Sequence, residues 1–283
     1  MMWGLVWFPL KALRDTGIDG APLTLVTYGA AALVLIPQFL RQSYAWRPRI
    51  HFMGLIALCG GFANLAFAIA IIYGDVIRVM VLFYLLPAWG VLGGRLFLGE
   101  RIDVQRAVAV VLALVGAFLV LGGFAAFESP PTFYDLLALA AGLTFALNNI
   151  LFRLSPQLPH VSRVAAMCLG CAAMAGMLVA FNPAPGVPAD TTPWLWAAVF
   201  GVAWILVATI ASQWAVTHLE AGRASVIIVV ELLTAVVSAA ALAGERLTPI
   251  EMAGGVFIVT SALLEAWRRP AATPPALSPS NRS

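Results

Sequence analysis

Apolar runs of about 20 residues, separated by short polar turns, recur from one end of the chain to the other. A helix of that length crosses a hydrocarbon core of roughly 30 Å. Cut at its charges, prolines and glycines, the pattern predicts helices over residues 1–14, 21–40, 51–73, 77–98, 104–122, 133–153, 161–181, 194–217, 223–243 and 249–267. The connections are short, as in Arg41 to Arg49, Ser155 to His160 and Asn182 to Pro193. The expected fold is all-α, a polytopic membrane protein of ten transmembrane helices. The first run is short: its thirteen or so residues cover about 20 Å, so helix 1 is expected to be incomplete at its N-terminus. Residues 268–283 carry Pro270, Pro274, Pro275 and Pro279 among Ser and Thr. Such a segment cannot bury a core and is expected to be a disordered tail.

Composition agrees with the pattern. Of 283 residues, 62% are hydrophobic and 10% charged, with a mean hydropathy of +0.95. Soluble domains carry about 25% charged residues, so a soluble enzyme, a nucleic-acid binder and a secreted disulfide scaffold are excluded. The net charge of +3 reflects loop arginines. Twelve Lys/Arg, including Arg41, Arg95, Arg106, Arg153 and Arg223, fall on one side of a ten-helix arrangement. Four, Lys11, Arg14, Arg78 and Arg246, fall on the other. The rich side faces the cytoplasm, which puts both termini inside. Cys59, Cys168 and Cys171 lie within apolar runs and read as small packing residues. No metal or cofactor is expected.

An internal repeat appears at an offset of 145 residues. Asp75 matches Glu220, Arg78 matches Arg223, and Gly99-Glu100-Arg101-Ile102 matches Gly244-Glu245-Arg246-Leu247. A second register, at an offset of 142, pairs Trp3 with Phe145 and Lys11 with Arg153. The expected organisation is a five-helix repeat over 1–122, a linker over 123–132, and a second five-helix repeat over 133–267. An odd number of spans inverts the second copy, the architecture of many secondary transporters, whose sites lie at the repeat interface near mid-membrane. The two Glu-Arg pairs read as loop-closing ion pairs at the membrane edge. Arg78 and Arg223 read as helix-end anchors beside Asp75 and Glu220.

Polar side chains inside spans are costly and usually face a bundle interior or a wet cavity. Several share one helical face: Thr209, Gln213 and Thr217; Thr144 and Asn148; Glu231, Thr234 and Ser238; Trp3, Trp7 and Lys11. Gly60, Asn64 and Tyr84 add to them. Glu231 stands deepest and needs a proton, a cation or a donor to neutralise it. It would bind a substrate ammonium or carry a proton; the alternative is a tie between helices. Asn64, Asn148 and Gln213 can donate and accept, which suits a zwitterion and equally suits helix-to-helix hydrogen bonds. Tyr84 and Trp3 offer an apolar wall with a polar tip. Pro9, Pro37 and Pro87 permit bends, and Pro87, beside Tyr84, is the candidate gating residue. Gly90 and Gly94 form a small-xxx-small pattern that fits a helix pair within the fold or a dimer.

Tyr84-Leu85-Leu86-Pro87 followed by Gly99-Glu100-Arg101 resembles the fourth-span signature of the drug/metabolite transporter superfamily, EamA type. Glu231 and Gly244-Glu245-Arg246-Leu247 resemble its second copy, with Leu232 where the family usually has Pro. Met2-Trp3-Gly4 resembles the Trp-Gly of its first helix. The Tyr84–Pro87 element is also similar to that of an aromatic amino acid exporter. The resemblance implies a central cavity lined by helices 1, 3, 4, 6, 8 and 9. Its candidate substrate-binding residues here are Trp3, Trp7, Asn64, Tyr84, Phe145, Asn148, Gln213 and Glu231. The expected function is export of amino acids or similar small metabolites across the inner membrane by alternating access, with the substrate and the lipid bilayer as partners. A drug/cation or nucleotide-sugar transporter of the same superfamily is the alternative. No Walker A pattern supplies ATP chemistry, and no Gly-x-Ser-x-Gly or His-Glu-x-x-His pattern supports an intramembrane enzyme. A channel would differ in passing solute without saturation.

Overall fold

The computed structural model describes residues 2–14, 16–18, 20–124, 130–181, 190–243 and 248–267. Among these residues every regular element is helical. After a 3-10 turn at Trp3–Leu5 come α1 (Trp7–Arg14), α2 (Gly20–Arg41), α3 (Ser43–Trp46), α4 (Ile50–Tyr73), α5 (Val76–Phe83) and α6 (Leu86–Leu98). Next are α7 (Val104–Val120), α8 (Phe133–Leu154), α9 (His160–Phe181), α10 (Thr192–Phe200), α11 (Val207–His218), α12 (Ala221–Ala243) and α13 (Pro249–Trp267). Among the described residues seven stretches are long and apolar enough to cross a membrane: Gly20–Arg41, Ser43–Tyr73, Arg78–Leu98, Phe133–Leu154, His160–Phe181, Thr192–His218 and Pro249–Trp267. Val104–Val120 is apolar but shorter. The protein is an all-α, multi-pass membrane protein. Large apolar side chains such as Leu33, Leu96, Phe97, Phe181 and Val256 stand exposed on its outside, where lipid is the matching solvent.

Lipid tails are as apolar as leucine, so helices in a bilayer associate through close packing of small residues. Gly116 of α7 and Gly254 of α13 face each other this closely. A Cβ on Gly116 would stand 2.8 Å from the Gly254 carbonyl oxygen, and one on Gly254 2.7 Å from that of Gly116. On α4, a Cβ on Gly61 would meet the backbone nitrogen of Cys171 on α9 at 2.6 Å. Cys168 and Cys171 are buried in that contact region.

Three departures from the sequence pattern have physical causes. The span expected over 77–98 is broken at Tyr84-Leu85 into α5 and α6. Pro87 lacks the N–H that would bond the Phe83 carbonyl one turn back, and its ring crowds that carbonyl. The Phe83 carbonyl turns instead toward Gly142 of α8, where a Cβ would stand 2.8 Å from its oxygen. The span expected over 194–217 holds a π-helical stretch, Gly201–Leu206, between α10 and α11. Gly201 packs directly on the Thr27 carbonyl of α2. The connection expected at Arg41 to Arg49 is itself helical, as α3 and a 3-10 turn at Arg47–Arg49. By contrast α12 runs unbroken through Leu232, having no proline to interrupt it. Gly244 to Leu247 and the tail over 268–283 lie outside the described residues.

Candidate functional site

A cavity of about 230 Å³ lies between α11 and α12. Ser212, Ala215, Val216 and Leu219 line one wall, and Ala224, Ile227, Ile228, Val230 and Glu231 the other. Glu231 falls at the middle of the 23-residue α12. At 1.5 Å per residue that is about half-way along the helix. The carboxylate and the Ser212 hydroxyl are the polar side chains of an otherwise apolar lining.

The N-terminal 3-10 turn is pinned beside this cavity by two indoles. Trp3 Nε1–H donates to Ser212 Oγ at 2.9 Å. Trp204 Nε1–H donates to the Met2 carbonyl at 3.2 Å. Tyr84, at the α5–α6 break, packs with the core of α7, α12 and α13. Of the predicted residues, Glu231 lines this cavity, Trp3 bonds Ser212 of its lining, and Tyr84 packs against α12 without being part of the lining. Phe145 joins through Phe83, whose ring centroid stands 5.9 Å from Phe145 and 5.7 Å from Tyr84. Pro87 is buried in the first turn of α6. For Trp7 only the backbone, in α1, is described.

The amides lie deeper between helices. Asn64 accepts from Tyr28 Oη–H at 2.6 Å and donates to the Gly60 carbonyl at 2.7 Å. Asn148 is fully buried, its Nδ2 donating to Met167 Sδ at 3.8 Å, and a Cβ on Gly60 would stand 2.6 Å from its Oδ1. Gln213 Nε2 donates to Asn149 Oδ1 at 3.2 Å. Asn149, with no place in the sequence-based set, is thus the direct partner of one of its members. Four buried polar atoms in this region have no hydrogen-bond partner among the described residues: Asn148 Oδ1, Asn149 Nδ2, Thr209 Oγ1 and Gln213 Oε1. Thr144 and Thr217 donate to carbonyls of their own helices.

At the α11–α12 turn the charged groups converge. Arg106 is fully buried and bonds three carboxylates: Glu100 at 3.0 Å, Glu265 at 3.2 Å and Glu220. Arg153 reaches Glu100 at 3.1 Å and the Leu219 carbonyl. Arg223 caps α13 through the Glu265 and Ala266 carbonyls, each at 2.8 Å. Arg78 is bound near the far end of α8, to Asp135 at 3.2 Å and the Pro130 carbonyl at 2.9 Å. Both pseudo-symmetric arginines thus anchor helix ends. The expected local pairing of Glu100 with Arg101 does not form. Gly99 ends α6 with a left-handed φ of 68°, and the Glu100 N–H closes back on the Gly94 carbonyl at 3.0 Å. That motif turns the Glu100 side chain inward to Arg106 and Arg153, while Arg101 is exposed. Glu245 and Arg246 lie outside the described residues.

Known proteins agree with this architecture. The chain is 26% identical over 259 residues to an uncharacterized transporter of Archaeoglobus fulgidus, covering 90% of each chain. A protein of known crystal structure shares the fold with a TM-score of 0.76 at 16% identity, over 93% of both chains. The sequence pattern of one family, described as the EamA-like transporter family, matches residues 1–122 and 132–266. With nearly its whole length accounted for, the chain belongs to the EamA-like transporter family.

Proposed function

We propose that the protein is a secondary transporter that exports amino acids, aromatic and other neutral ones among them, or similar small metabolites across the inner membrane by alternating access. In this reading α1, α7 and α12 complete the seven longer stretches to ten spans, in two inverted five-helix repeats, with both termini in the cytoplasm. The match to one family in two successive stretches supports the repeat. The gathering of Arg106, Arg153 and Arg223 at one end, opposite Arg78, supports the orientation.

The observation that carries the substrate reading is Glu231 half-way along α12, lining a cavity of about 230 Å³ beside the Trp3-bound Ser212. Drug-sized ligands occupy pockets of roughly 300–1,000 Å³, so this space suits an amino-acid-sized solute. Glu231 would hold its ammonium group, Tyr84 and Trp3 its apolar part, and Gln213, Asn64 and Asn148 would serve polar ends as the helices part. Among the described residues no basic one stands in the lining to meet a diphosphate, which disfavours nucleotide sugars. The Glu231 carboxylate in an apolar wall equally suits a small organic cation, which is the second reading.

The test is uptake into liposomes carrying the purified protein, with labelled neutral amino acids, nucleotide sugars and organic cations, with and without a pH gradient. Saturable flux of one or more neutral amino acids is expected, lost in Glu231→Gln while that variant still inserts and folds. Flux of cations alone moves the function to the second reading. Wild-type flux of several substrates in Glu231→Gln removes the role assigned to that residue.

A further inference from the structure

The cavity reaches the turn Leu219-Glu220 between α11 and α12, which leads into Ala221, the first residue of α12. Leu219 is itself part of the lining. Each of the three is gripped by a different charged side chain from elsewhere in the chain. The Leu219 carbonyl accepts from Arg153, at the end of α8. The Glu220 carboxylate accepts from Arg106, in the first turn of α7. The Ala221 N–H donates to Glu100 Oε1, on the α6–α7 connection, at 2.8 Å. The grips are themselves joined, because Glu100 also binds Arg106 at 3.0 Å and Arg153 at 3.1 Å.

Close packing lets these groups meet. A Cβ on Gly94 would stand 2.8 Å from Glu100 Oε2 and 3.4 Å from the Ala221 Cβ, so the end of α6 lies close against both the Glu100 carboxylate and the start of α12. Arg106 is held from behind by Glu265 of α13 at 3.2 Å, which fixes the grip to the tightly packed α7–α13 pair.

We infer that Leu219-Glu220-Ala221 is the lid of the cavity at its charged end, and that Glu100, Arg106 and Arg153 are the residues that hold it shut. The inference rests on the transporter reading for its purpose, not for its geometry. Ion pairs suit a closure that must open repeatedly. Buried charges lose hydration when they pair, and they recover it when the lid lifts and water enters. The cost of opening is therefore far smaller than the number of bonds suggests. A closure of interlocked apolar side chains would have no such return from water.

The test reads access to the cavity directly. Ala224, which lines it, is replaced by cysteine in a Cys59→Ala, Cys168→Ala, Cys171→Ala background. The protein is placed in vesicles oriented with the Arg106 end outward, and modification by a membrane-impermeant maleimide is timed. Glu100→Gln keeps the size of the side chain and an acceptor for the Ala221 N–H but removes the charge that binds both arginines. It is expected to speed modification by about tenfold or more, the order of factor that a lost charge-assisted hydrogen bond represents. Arg153→Gln, which releases Leu219, is expected to act in the same direction. Arg101→Gln, at an exposed side chain next to the cluster, is expected to react at the parent rate. If Glu100→Gln does not fold, Arg153→Gln carries the decision. Parent-rate modification in the folded grip variants overturns the lid, even if saturable transport is intact. Faster modification in a protein that moves no solute keeps the lid and removes the transporter reading.

Discussion

Asn149 and Gln213 make one hydrogen bond where two facing amides have capacity for two. Asn149 Nδ2 and Gln213 Oε1 are left over, with Thr209 Oγ1 one turn away on α11 and also without a partner among the described residues. A buried polar atom left unbonded costs about 1–3 kcal/mol, whereas replacing both members of a pair by apolar groups can be nearly neutral. Thus Asn149→Leu and Gln213→Leu are each expected to lower stability by about 1–3 kcal/mol. The double variant is expected to recover most of that loss. Flux is expected to fall in all three, because the spare donor and acceptor are what a passing solute would use. Denaturation in detergent and liposome flux on the same preparations check this. A double variant that regains flux along with stability shows the pair to be a tie between α8 and α11 and nothing more. Gln213 is legible in the sequence because it stands on a polar face with Thr209 and Thr217. Asn149 is not, because it is one residue off the Thr144–Asn148 face. Only the placement of α11 against α8 reveals it.

At the scale of elements, the α5–α6 break and the π-helical stretch are, with Pro37 of α2, places where the helical hydrogen-bond ladder is interrupted inside a span among the described residues. The freed groups there must be met by protein, since lipid offers none. Gly142 lets α8 approach the Phe83 carbonyl, and Tyr84 is carried at the break against α12. Replacing Pro87 by alanine restores an N–H to face Phe83 and removes the ring crowding. The expected result is a straighter α5–α6 helix, thermal stability equal to or above the parent, and turnover reduced several-fold because Tyr84 is drawn from its packing against α12. Melting temperature and initial flux measured together check it. Parent turnover in a stable Pro87→Ala protein separates the break from transport. The bend at Pro87 follows from a single residue's chemistry, so the sequence carries it. The π-helical stretch depends on Gly201 meeting a carbonyl on α2, a contact between residues far apart in the chain. No local pattern announces it.

Across the whole molecule, the apolar periodicity and Arg distribution already contain the multi-pass, all-α architecture, because span length and loop charge are local properties. The charged lid is hidden from such reading. Arg106 meets Glu220 and Glu265 across 114 and 159 residues, and in sequence it looks like one more arginine after a span. Glu100 looks like half of a local pair with Arg101 until the left-handed turn at Gly99 sends it the other way. In the proposed reading, the cavity, the carboxylate that lines it and the clamped turn at its end serve a cycle in which solute is bound on one face and released on the other. Solute counterflow tests that cycle most directly. Liposomes containing the protein are loaded with an unlabelled neutral amino acid, diluted into a trace of the labelled compound, and sampled over time. A transient accumulation of label above equilibrium, saturable and absent in Glu231→Gln, is the predicted result. Monotonic equilibration that never saturates, or no movement of any solute tested, would contradict it.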